Sequence, residues 1–435
     1  MPTCRVFQRI ARPLLITLGL VVLALFPREV PALSLAKPPA LTAKSAILIE
    51  EDTGKVLYAY NADEPFPPAS LTKMVTLEIV LDQIDEGLLD PAQIVVPKAN
   101  AWAVNQPTGS SLMFLGPHQR LTIEQLLEGL TIASGNDAAV ELADLVAGSV
   151  SDFVELMNQE VERLGFRQMH FVDPAGIHSG NRITAREYAE FCRRFIRLHP
   201  DALPNLLSVK KIVYPLSENL TDGNREQPIV QFNRNLLLWK NDGVDGLKTG
   251  YIDQSGYNSA VTAERDGMRL IAVVLGIPGH IGDTAAEHQR EVESEALLDW
   301  GFSNFVLVRP TYEPPSLVRV WKGRDQWVDL APASEPVAVV PRSEAGSVTG
   351  VIRQEREAVA PIRQGQPLGH LVVMAGGKEL ATFPLEATHP VARGGIFRRA
   401  VDSVWLWARG LFGSHARAES KPGAQIPTKR SARSL

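Results

Sequence analysis

The 435-residue chain has an ordinary globular composition, with 45% hydrophobic and 21% charged residues, and it is long enough for two domains. Its net charge of −5 gives no indication of nucleic-acid binding, and only the ends of the chain are basic. The nine histidines show no metal-ligand spacing, and the sequence contains no phosphate-binding or dinucleotide-binding glycine motif, so we predict neither a metal nor a cofactor.

The first 36 residues have the three parts of a secretory signal peptide. Three arginines precede an apolar run over 13–26, and small residues follow that run. About 14 apolar residues are fewer than the roughly 20 that a membrane-spanning helix needs. We therefore expect cleavage near Ala32 or Ala36.

A β-hairpin is predicted at the start of the mature chain, from two apolar segments, 46–51 and 56–60, that flank turn residues. It leads into segment 67–73, whose two prolines favour extended backbone before a helix that begins at about Ser70. Residues three apart share one helical face, so Lys73 is expected beside the Ser70 hydroxyl. The unpaired N–H groups of a helix N-terminus suit an oxygen that becomes anionic during acyl transfer.

The tripeptide Ser134-Gly135-Asn136 is predicted to form a tight turn between two apolar helices. The first helix, 122–130, opens with a capping-box pattern, and the second runs over about 137–148. Gly135 is expected to permit the backbone conformation that points both flanking side chains the same way. An ordinary loop between helices is the alternative for this motif taken alone.

Two longer helices, 151–164 and 184–198, complete the helical section, and the second opens with a Thr184/Glu187 capping-box pattern. Cys192 is the one cysteine of the expected mature chain and lies within the second helix beside apolar residues. A buried structural thiol is therefore favoured over a catalytic one.

The motif at 248–250, Lys-Thr-Gly, lies on a predicted strand that leads into an antiparallel meander with strands 257–263 and 268–275. A helix over 287–300 follows and is expected to end at Gly301. Strands first, helices in the middle, and antiparallel strands and a helix last predict a mixed α/β domain over 37–304 with an antiparallel sheet.

The predicted secondary structure changes beyond residue 304. Short strands and turns over 305–390, including a hairpin at Gly376-Gly377, predict a small all-β domain. Over 391–435 we predict an amphipathic helix, 393–412, and a basic, disordered tail. This pattern favours a helix that lies in a membrane interface over one packed on its own domain. Two sets of side chains define its faces: the apolar Phe397, Val401, Val404, Trp405, Ala408, Leu411 and Phe412, and the polar Arg398, Arg399, Asp402 and Arg409.

Three short motifs occur in order along the chain: Ser70-x-x-Lys73, Ser134-Gly135-Asn136 and Lys248-Thr249-Gly250. Together they resemble the motifs of low-molecular-weight penicillin-binding proteins of the D-alanyl-D-alanine carboxypeptidase family. The resemblance covers nearly the whole chain. It implies a β-lactamase/transpeptidase-like catalytic domain that removes the terminal D-alanine from peptidoglycan pentapeptide stems and is acylated by penicillins.

The resemblance also implies a role for each catalytic residue. Ser70 would attack the carbonyl between the two D-alanines, and a neutral Lys73 would accept its proton. Ser134 would relay a proton to the leaving amine, and Asn136 would orient Lys73 and hold a substrate amide. Burial and the nearby charge of Lys248 are both expected to lower the pKa of Lys73.

The residues that correspond to the family's substrate-binding positions are Lys248, Thr249, Gly250, Tyr251 and Arg290. By the same resemblance, the backbone N–H groups of Ser70 and Tyr251 would form the oxyanion hole. Arg290 would help to hold the terminal carboxylate, and a surface arginine paired with Glu293 is the alternative. Some family members have histidine at the position of Tyr251, so the peptide preference of this chain stays open.

Other functions remain open at this point. They are a β-lactamase-like hydrolase, which would need a second carboxylate base, a DD-endopeptidase, and a non-catalytic membrane-bound protein that binds peptidoglycan. We expect the protein in the periplasm, peripheral on the outer face of the cytoplasmic membrane through its terminal helix. The sequence does not decide between a monomer and a homodimer.

Overall fold

The structure, a computed structural model, describes residues 35–221 and 223–413. Most of the predicted signal peptide and the basic tail after residue 413 lie outside the described residues. The elements up to residue 304 are, in chain order, β1 (Ser45–Glu50), β2 (Val56–Tyr60), α1 (Lys73–Asp85), β3 (Ile94–Val95), β4 (Leu121–Thr122), α2 (Ile123–Thr131), α3 (Asn136–Ala147), α4 (Val150–Arg163), α5 (Ala185–Leu198), β5 (Lys211–Tyr214), β6 (Ile229–Phe232), α6 (Leu237–Lys240), β7 (Val244–Ile252), β8 (Gly256–Arg265), β9 (Met268–Ile277) and α7 (Thr284–Asn304).

A five-stranded antiparallel sheet with the order β2-β1-β9-β8-β7 forms the centre of this part of the chain. Side chains of a strand alternate between the two faces of a sheet. Ile47 and Ile49 accordingly pack with helices α1 to α5, whereas Leu48 packs with α7 on the other face. The predicted α/β domain with an antiparallel sheet is confirmed, and its strand β7 is an edge strand.

The predicted helix ends are mostly within two residues of the observed ones. Thr122 caps α2 in a complete capping box with Gln125, as expected. At α5 only half of the predicted box forms, because the Glu187 carboxylate accepts from the N–H groups of Arg167 and Gln168 instead.

The prediction that Gly301 ends the helix after the meander is wrong, because α7 continues to Asn304. A Cβ atom at position 301 would lie 2.6 Å from Leu48 Cδ2 and 2.7 Å from Leu270 Cδ1. Such distances are too short for packed carbon atoms. Glycine is needed here to let the helix approach the sheet closely.

Short strands form the part that follows α7. They are β10 (Phe305–Val308), β11 (Val318–Trp321), β12 (Trp327–Val328), β13 (Leu330–Pro332), β14 (Ala338–Pro341), β15 (Thr349–Gln354), β16 (Glu357–Val359), β17 (Pro367–Ala375) and β18 (Lys378–Ala387). They assemble into a four-stranded sheet, β13-β18-β17-β15, a three-stranded sheet, β12-β11-β16, and a β10-β14 pair. The predicted hairpin at Gly376-Gly377 joins β17 to β18, and both glycines have positive φ.

The last described element is α8 (Ile396–Gly413). Asp402 was expected on a solvated face, but it is buried and its carboxylate accepts from the N–H of Lys322 at 2.5 Å. Arg409 pairs with Glu357, so polar side chains of the helix contact the β part. The apolar Phe397 and Trp405 are 90% and 63% exposed. Within the described ranges, no helix is long and apolar enough to cross a membrane.

Candidate active site

Ser70 lies in a 3₁₀ turn, Ala69–Thr72, that passes directly into α1. Two glycines from distant segments allow other chain segments to pack against this turn. A Cβ at Gly250 would lie 2.8 Å from the Ser70 nitrogen, and a Cβ at Gly176 would lie 1.8 Å from the Ala69 carbonyl oxygen. The glycine of the Lys-Thr-Gly motif is therefore a packing requirement at the candidate nucleophile.

Lys73 lies within hydrogen-bonding distance of the Ser70 hydroxyl. Its Nζ is 2.9 Å from Ser70 Oγ, 2.7 Å from Asn136 Oδ1 and 2.7 Å from the Ala175 carbonyl oxygen. The side chain is only 1% exposed. A lysine in this position has its ammonium fully coordinated when charged, and it can accept the hydroxyl proton when neutral.

Burial lowers the pKa of Lys73 to about 7, against the opposing charges of Asp173 and Asp137. Burial is one of the two causes expected from the sequence, and it accounts for the direction of the shift. The pKa of Lys248 is itself well below its ordinary value, first through burial and then through the charges of Lys73, Arg234 and Arg290. A lysine that readily loses its proton presents less positive charge to its neighbours.

The turn that carries Ser134 and Asn136 differs from the prediction in one respect. Gly135 was expected to supply the special backbone conformation of the turn, but its φ is −58°, and it is Ser134, with φ of +60°, that is left-handed. Glycine is needed at 135 for space, because its Cβ would lie 2.7 Å from Asp137 Oδ1 and 3.0 Å from the Met113 nitrogen. The turn still brings Asn136 onto Lys73 and Ser134 to the wall of the cleft.

Six of the predicted site residues line one open cleft. A cavity of about 800 Å³ is lined by Ser70, Ser134, Thr249, Gly250, Tyr251 and Arg290, among others. Asn136 lines an adjoining cavity of about 230 Å³. Lys73 and Lys248 are absent from both linings. Lys248 is 3% exposed and its Nζ donates to the Thr249 carbonyl at 3.0 Å, so it lies beneath the surface of the cleft.

Arg290 lies in α7 and faces this cleft. Its side chain is 4% exposed, its Nη2 is 3.3 Å from the Arg234 carbonyl oxygen and 3.5 Å from Glu287 Oε1, and its guanidinium lies 5.7 Å from the centre of the Tyr257 ring. The alternative of a surface arginine paired with Glu293 is wrong. Glu293 instead accepts from the backbone of Thr42 and Ala43.

Comparison with known proteins identifies this arrangement. The family model for D-alanyl-D-alanine carboxypeptidases matches residues 33–279, and the model for the C-terminal domain of penicillin-binding protein 5 matches residues 310–393. The chain is 34% identical to D-alanyl-D-alanine carboxypeptidase DacA of Haemophilus influenzae over 86% of this chain and 92% of that one. It is 35% identical to DacA of Escherichia coli K12, over 86% and 90%. The chain belongs to the D-alanyl-D-alanine carboxypeptidase family.

Solved structures agree with this assignment. Penicillin-binding protein 5 of Haemophilus influenzae matches 82% of this chain and 100% of its own length, with a TM-score of 0.71 and 33% identity. Penicillin-binding protein 6B of Escherichia coli matches 80% and 96%, with a TM-score of 0.64 and 32% identity. Penicillin-binding protein D2 of Listeria monocytogenes, 27% identical over 61% of this chain with a TM-score of 0.52, was solved with cefotaxime and with ampicillin bound.

Sequence reasoning missed residues that hold the site of this carboxypeptidase-family chain in place. Asp137 is fully buried, and its carboxylate accepts from the N–H groups of Met113, Phe114 and Leu115, which fixes a wall of the cleft. A carboxylate in the first turn of an apolar helix was a signal that could have revealed it, because a buried charge needs partners.

Asp173 holds the segment on the other side of Lys73. One of its oxygens accepts from the N–H groups of Ala175 and Gly176, and this positions the Ala175 carbonyl that Lys73 contacts. The Asp-Pro-x-Gly sequence is typical of such turns. Arg234, which lines the cleft, gave no recognisable signal.

One acidic group could be considered as a metal site. The carboxylates of Glu78, Asp82 and Glu160 offer oxygens within 4.8 Å of one another. Each already has a basic partner in the structure: Arg194 for Glu78, His199 for Asp82 and Arg163 for Glu160. We therefore interpret the group as an ion-pair network among α1, α4 and α5.

Proposed function

We propose that this protein is a serine-type D-alanyl-D-alanine carboxypeptidase that removes the terminal D-alanine from peptidoglycan pentapeptide stems through an acyl-enzyme on Ser70. The observation that carries the proposal is the contact between the buried Lys73 Nζ and the half-buried Ser70 Oγ, 2.9 Å apart. A nucleophile beside a base whose pKa is about 7 meets the requirement for acyl transfer at neutral pH.

In the acylation step, neutral Lys73 accepts the Ser70 proton as the oxygen attacks the carbonyl between the two D-alanines. The C–N bond then breaks, and the proton reaches the leaving amine through Ser134. Water hydrolyses the ester in the second step. The backbone N–H groups of Ser70 and Tyr251 would bind the developing oxyanion, and loss of one such donor typically costs about 2.7–4 kcal/mol. Both residues line the cleft, which supports this assignment.

The terminal carboxylate of the substrate would bind near Thr249 and Arg290, where the positive charge of the cleft is concentrated. Arg290→Ala should raise the KM for a pentapeptide roughly tenfold or more, because a charge-assisted contact is worth about 1.5–3 kcal/mol. Release of D-alanine measured against substrate concentration checks this. Arg309→Ala removes a guanidinium whose ion pair is exposed and serves as the control. Equal KM values for the two variants would remove Arg290 from carboxylate binding.

Penicillins carry a carboxylate beside a reactive amide, so the same groups would bind them and Ser70 would form a stable ester with the opened ring. The cefotaxime- and ampicillin-bound forms of the Listeria relative support this expectation. The direct test of the proposed function is release of D-alanine from a synthetic pentapeptide by the mature chain, with benzylpenicillin abolishing it.

We also propose that residues 1–36 are a signal peptide that is cleaved, and that residues 37–304 form the catalytic domain. A small β domain over 305–390 would space the catalytic domain from the membrane, and residues 391–435 would form the anchor. The protein would lie in the periplasm on the outer face of the cytoplasmic membrane. Nine lysines and arginines against two acidic residues in 393–435 support attraction to anionic lipid. The outward-facing Phe397 and Trp405 of α8 would enter the interface.

Replacing Phe397 and Trp405 by glutamate should release the mature protein from anionic vesicles, because large apolar side chains contribute about 1.5–3 kcal/mol each when fully buried. Co-sedimentation measures this. Val351→Glu with Val359→Glu, at two exposed apolar positions of the β part, is the matched control and should still sediment. Sedimentation of the α8 variant at the wild-type level would place the anchor elsewhere.

The structure also changes where such a protein should be truncated. The β domain predicted from the sequence ends at residue 390, but Val391 is fully buried and exchanges two backbone hydrogen bonds with Ile362. A soluble form should therefore end at Gly395, before α8 begins.

A further inference from the structure

The cleft has two lobes that share Ser70. The larger, about 800 Å³, contains Thr249 and Arg290, and the smaller, about 230 Å³, contains Asn136 and the turn after β7. Ser70 and Tyr251 line both lobes. A substrate whose scissile carbonyl lies over Ser70 can therefore extend its leaving group into one lobe and its acyl portion into the other.

The two lobes differ in charge. The larger lobe is lined by two cationic side chains, Arg234 and Arg290, and by one carboxylate, that of Glu287. Asp253 is the one charged side chain among the described residues that line the smaller lobe. The terminal carboxylate of a substrate is favoured in the larger lobe, so the smaller lobe with its single carboxylate receives the acyl portion and favours a positive group on it.

Asp253 is held in place from one side only. The Tyr251 hydroxyl donates to Asp253 Oδ1 at 2.6 Å, and the Tyr251 ring packs against the Tyr257 ring with centroids 4.5 Å apart. Among the described residues, no donor contacts the second carboxylate oxygen, and Asp253 is exposed. The carboxylate is therefore oriented while one oxygen stays available to a ligand.

We propose that Asp253 binds the free side-chain ammonium of the diamino residue that precedes D-alanyl-D-alanine in the stem, so that the enzyme prefers stems that are not cross-linked. In a cross-linked stem that amine is an uncharged amide. This inference rests on the proposed function, because it requires the terminal carboxylate in the larger lobe and the scissile bond over Ser70.

The spacing along the strand fits this assignment. β7 is an edge strand, and Thr249 and Asp253 are four residues apart, at most roughly 13 Å along an extended chain. A substrate antiparallel to β7 with its carboxylate near Thr249 directs its amino end toward Asp253. Two extended substrate residues span about 7 Å, and the five single bonds of a lysine side chain add about 6 Å. The side-chain ammonium can therefore reach about as far from the terminal carboxylate as Asp253 lies from Thr249.

Two tripeptides test the inference on the full mature chain: Nα-acetyl-L-Lys-D-Ala-D-Ala, which has a free amine, and its Nα,Nε-diacetyl form. The wild-type protein should show a KM about two- to fivefold lower for the free amine with similar kcat, as expected for an ion pair with an exposed carboxylate. Asp253→Asn should remove this preference by raising the KM for the free-amine peptide, while an asparagine oxygen can still accept from Tyr251.

Asp266→Asn is the matched control, since it removes the same charge at the β8–β9 hairpin, the other end of β8 from the turn that carries Asp253. It should keep the wild-type preference. Equal KM values for the two peptides in the wild type, or an unchanged preference in Asp253→Asn, would overturn the role of Asp253 while leaving the carboxypeptidase intact. Failure to release D-alanine from either peptide would overturn the proposed function itself.

Discussion

Ser70→Ala should reduce release of D-alanine from a pentapeptide by at least about 10³-fold, because the acyl-enzyme cannot form without the hydroxyl. The side chain makes one described hydrogen bond, to Lys73, so the fold should be retained. Steady-state kinetics give the rate, and thermal unfolding reports the fold. Ser303→Ala, at an exposed position of α7, should behave as wild type.

Two results would contradict this expectation. Wild-type turnover by folded Ser70→Ala would assign the nucleophile to another residue. A loss of activity that Ser303→Ala shares would indicate a general defect in the preparation and not a role of Ser70.

Lys73→Arg should lower kcat/KM by about 10²–10⁴-fold, the usual contribution of a positioned general base, because a guanidinium stays protonated. Lys211→Arg, the same exchange at an exposed position, is the control. The larger side chain at a fully buried site also disturbs packing, so thermal unfolding should accompany the kinetics. Activity of Lys73→Arg close to wild type would move the base to another group.

The pH dependence of the wild type tests the same role without a substitution. Burial disfavours the charged form of Lys73, so its pKa lies at about 7 and not near that of a free lysine. The neutral amine is the active form. Acylation by a penicillin should therefore rise about tenfold per pH unit below that pKa and level off above it. A rate that is flat between pH 5 and 8 would exclude Lys73 as the base.

The parts of the fold that depend on local sequence were predictable. Helix ends with their own capping residues, such as Thr122 at α2, need only the residues around them. The same is true of the Ser70–Lys73 spacing, since one turn of helix sets which side chains meet. Apolar segments likewise predicted the central strands. β1 and β9 are apolar along most of their length because helices cover both faces of the sheet.

The parts that depend on distant contacts were not predictable. The left-handed Ser134 lies in a turn next to Asp137, whose carboxylate binds the 113–115 backbone, some 22 to 24 residues away in sequence. The length of α7 depends on Gly301 fitting against β1 and β9. Such features require the assembled tertiary structure.

Charged residues were the hardest to interpret from the sequence. Arg290 and Asp402 both appear in helices with polar neighbours, and both are buried by segments that no local pattern indicates. Whether a charge faces solvent or a cleft depends on which elements pack beside it. The cationic lobe around Arg234 and Arg290 becomes visible only once strand β7 and helix α7 are placed together.

The central claim is that Ser70 is the nucleophile of a serine carboxypeptidase site. The most direct measurement is mass spectrometry of the mature protein after brief incubation with ampicillin, followed by proteolysis and location of the adduct. A single added ampicillin mass on the peptide that contains Ser70 is the predicted result. An adduct on another peptide, such as the one that contains Ser134, or no adduct at saturating drug, would contradict the account.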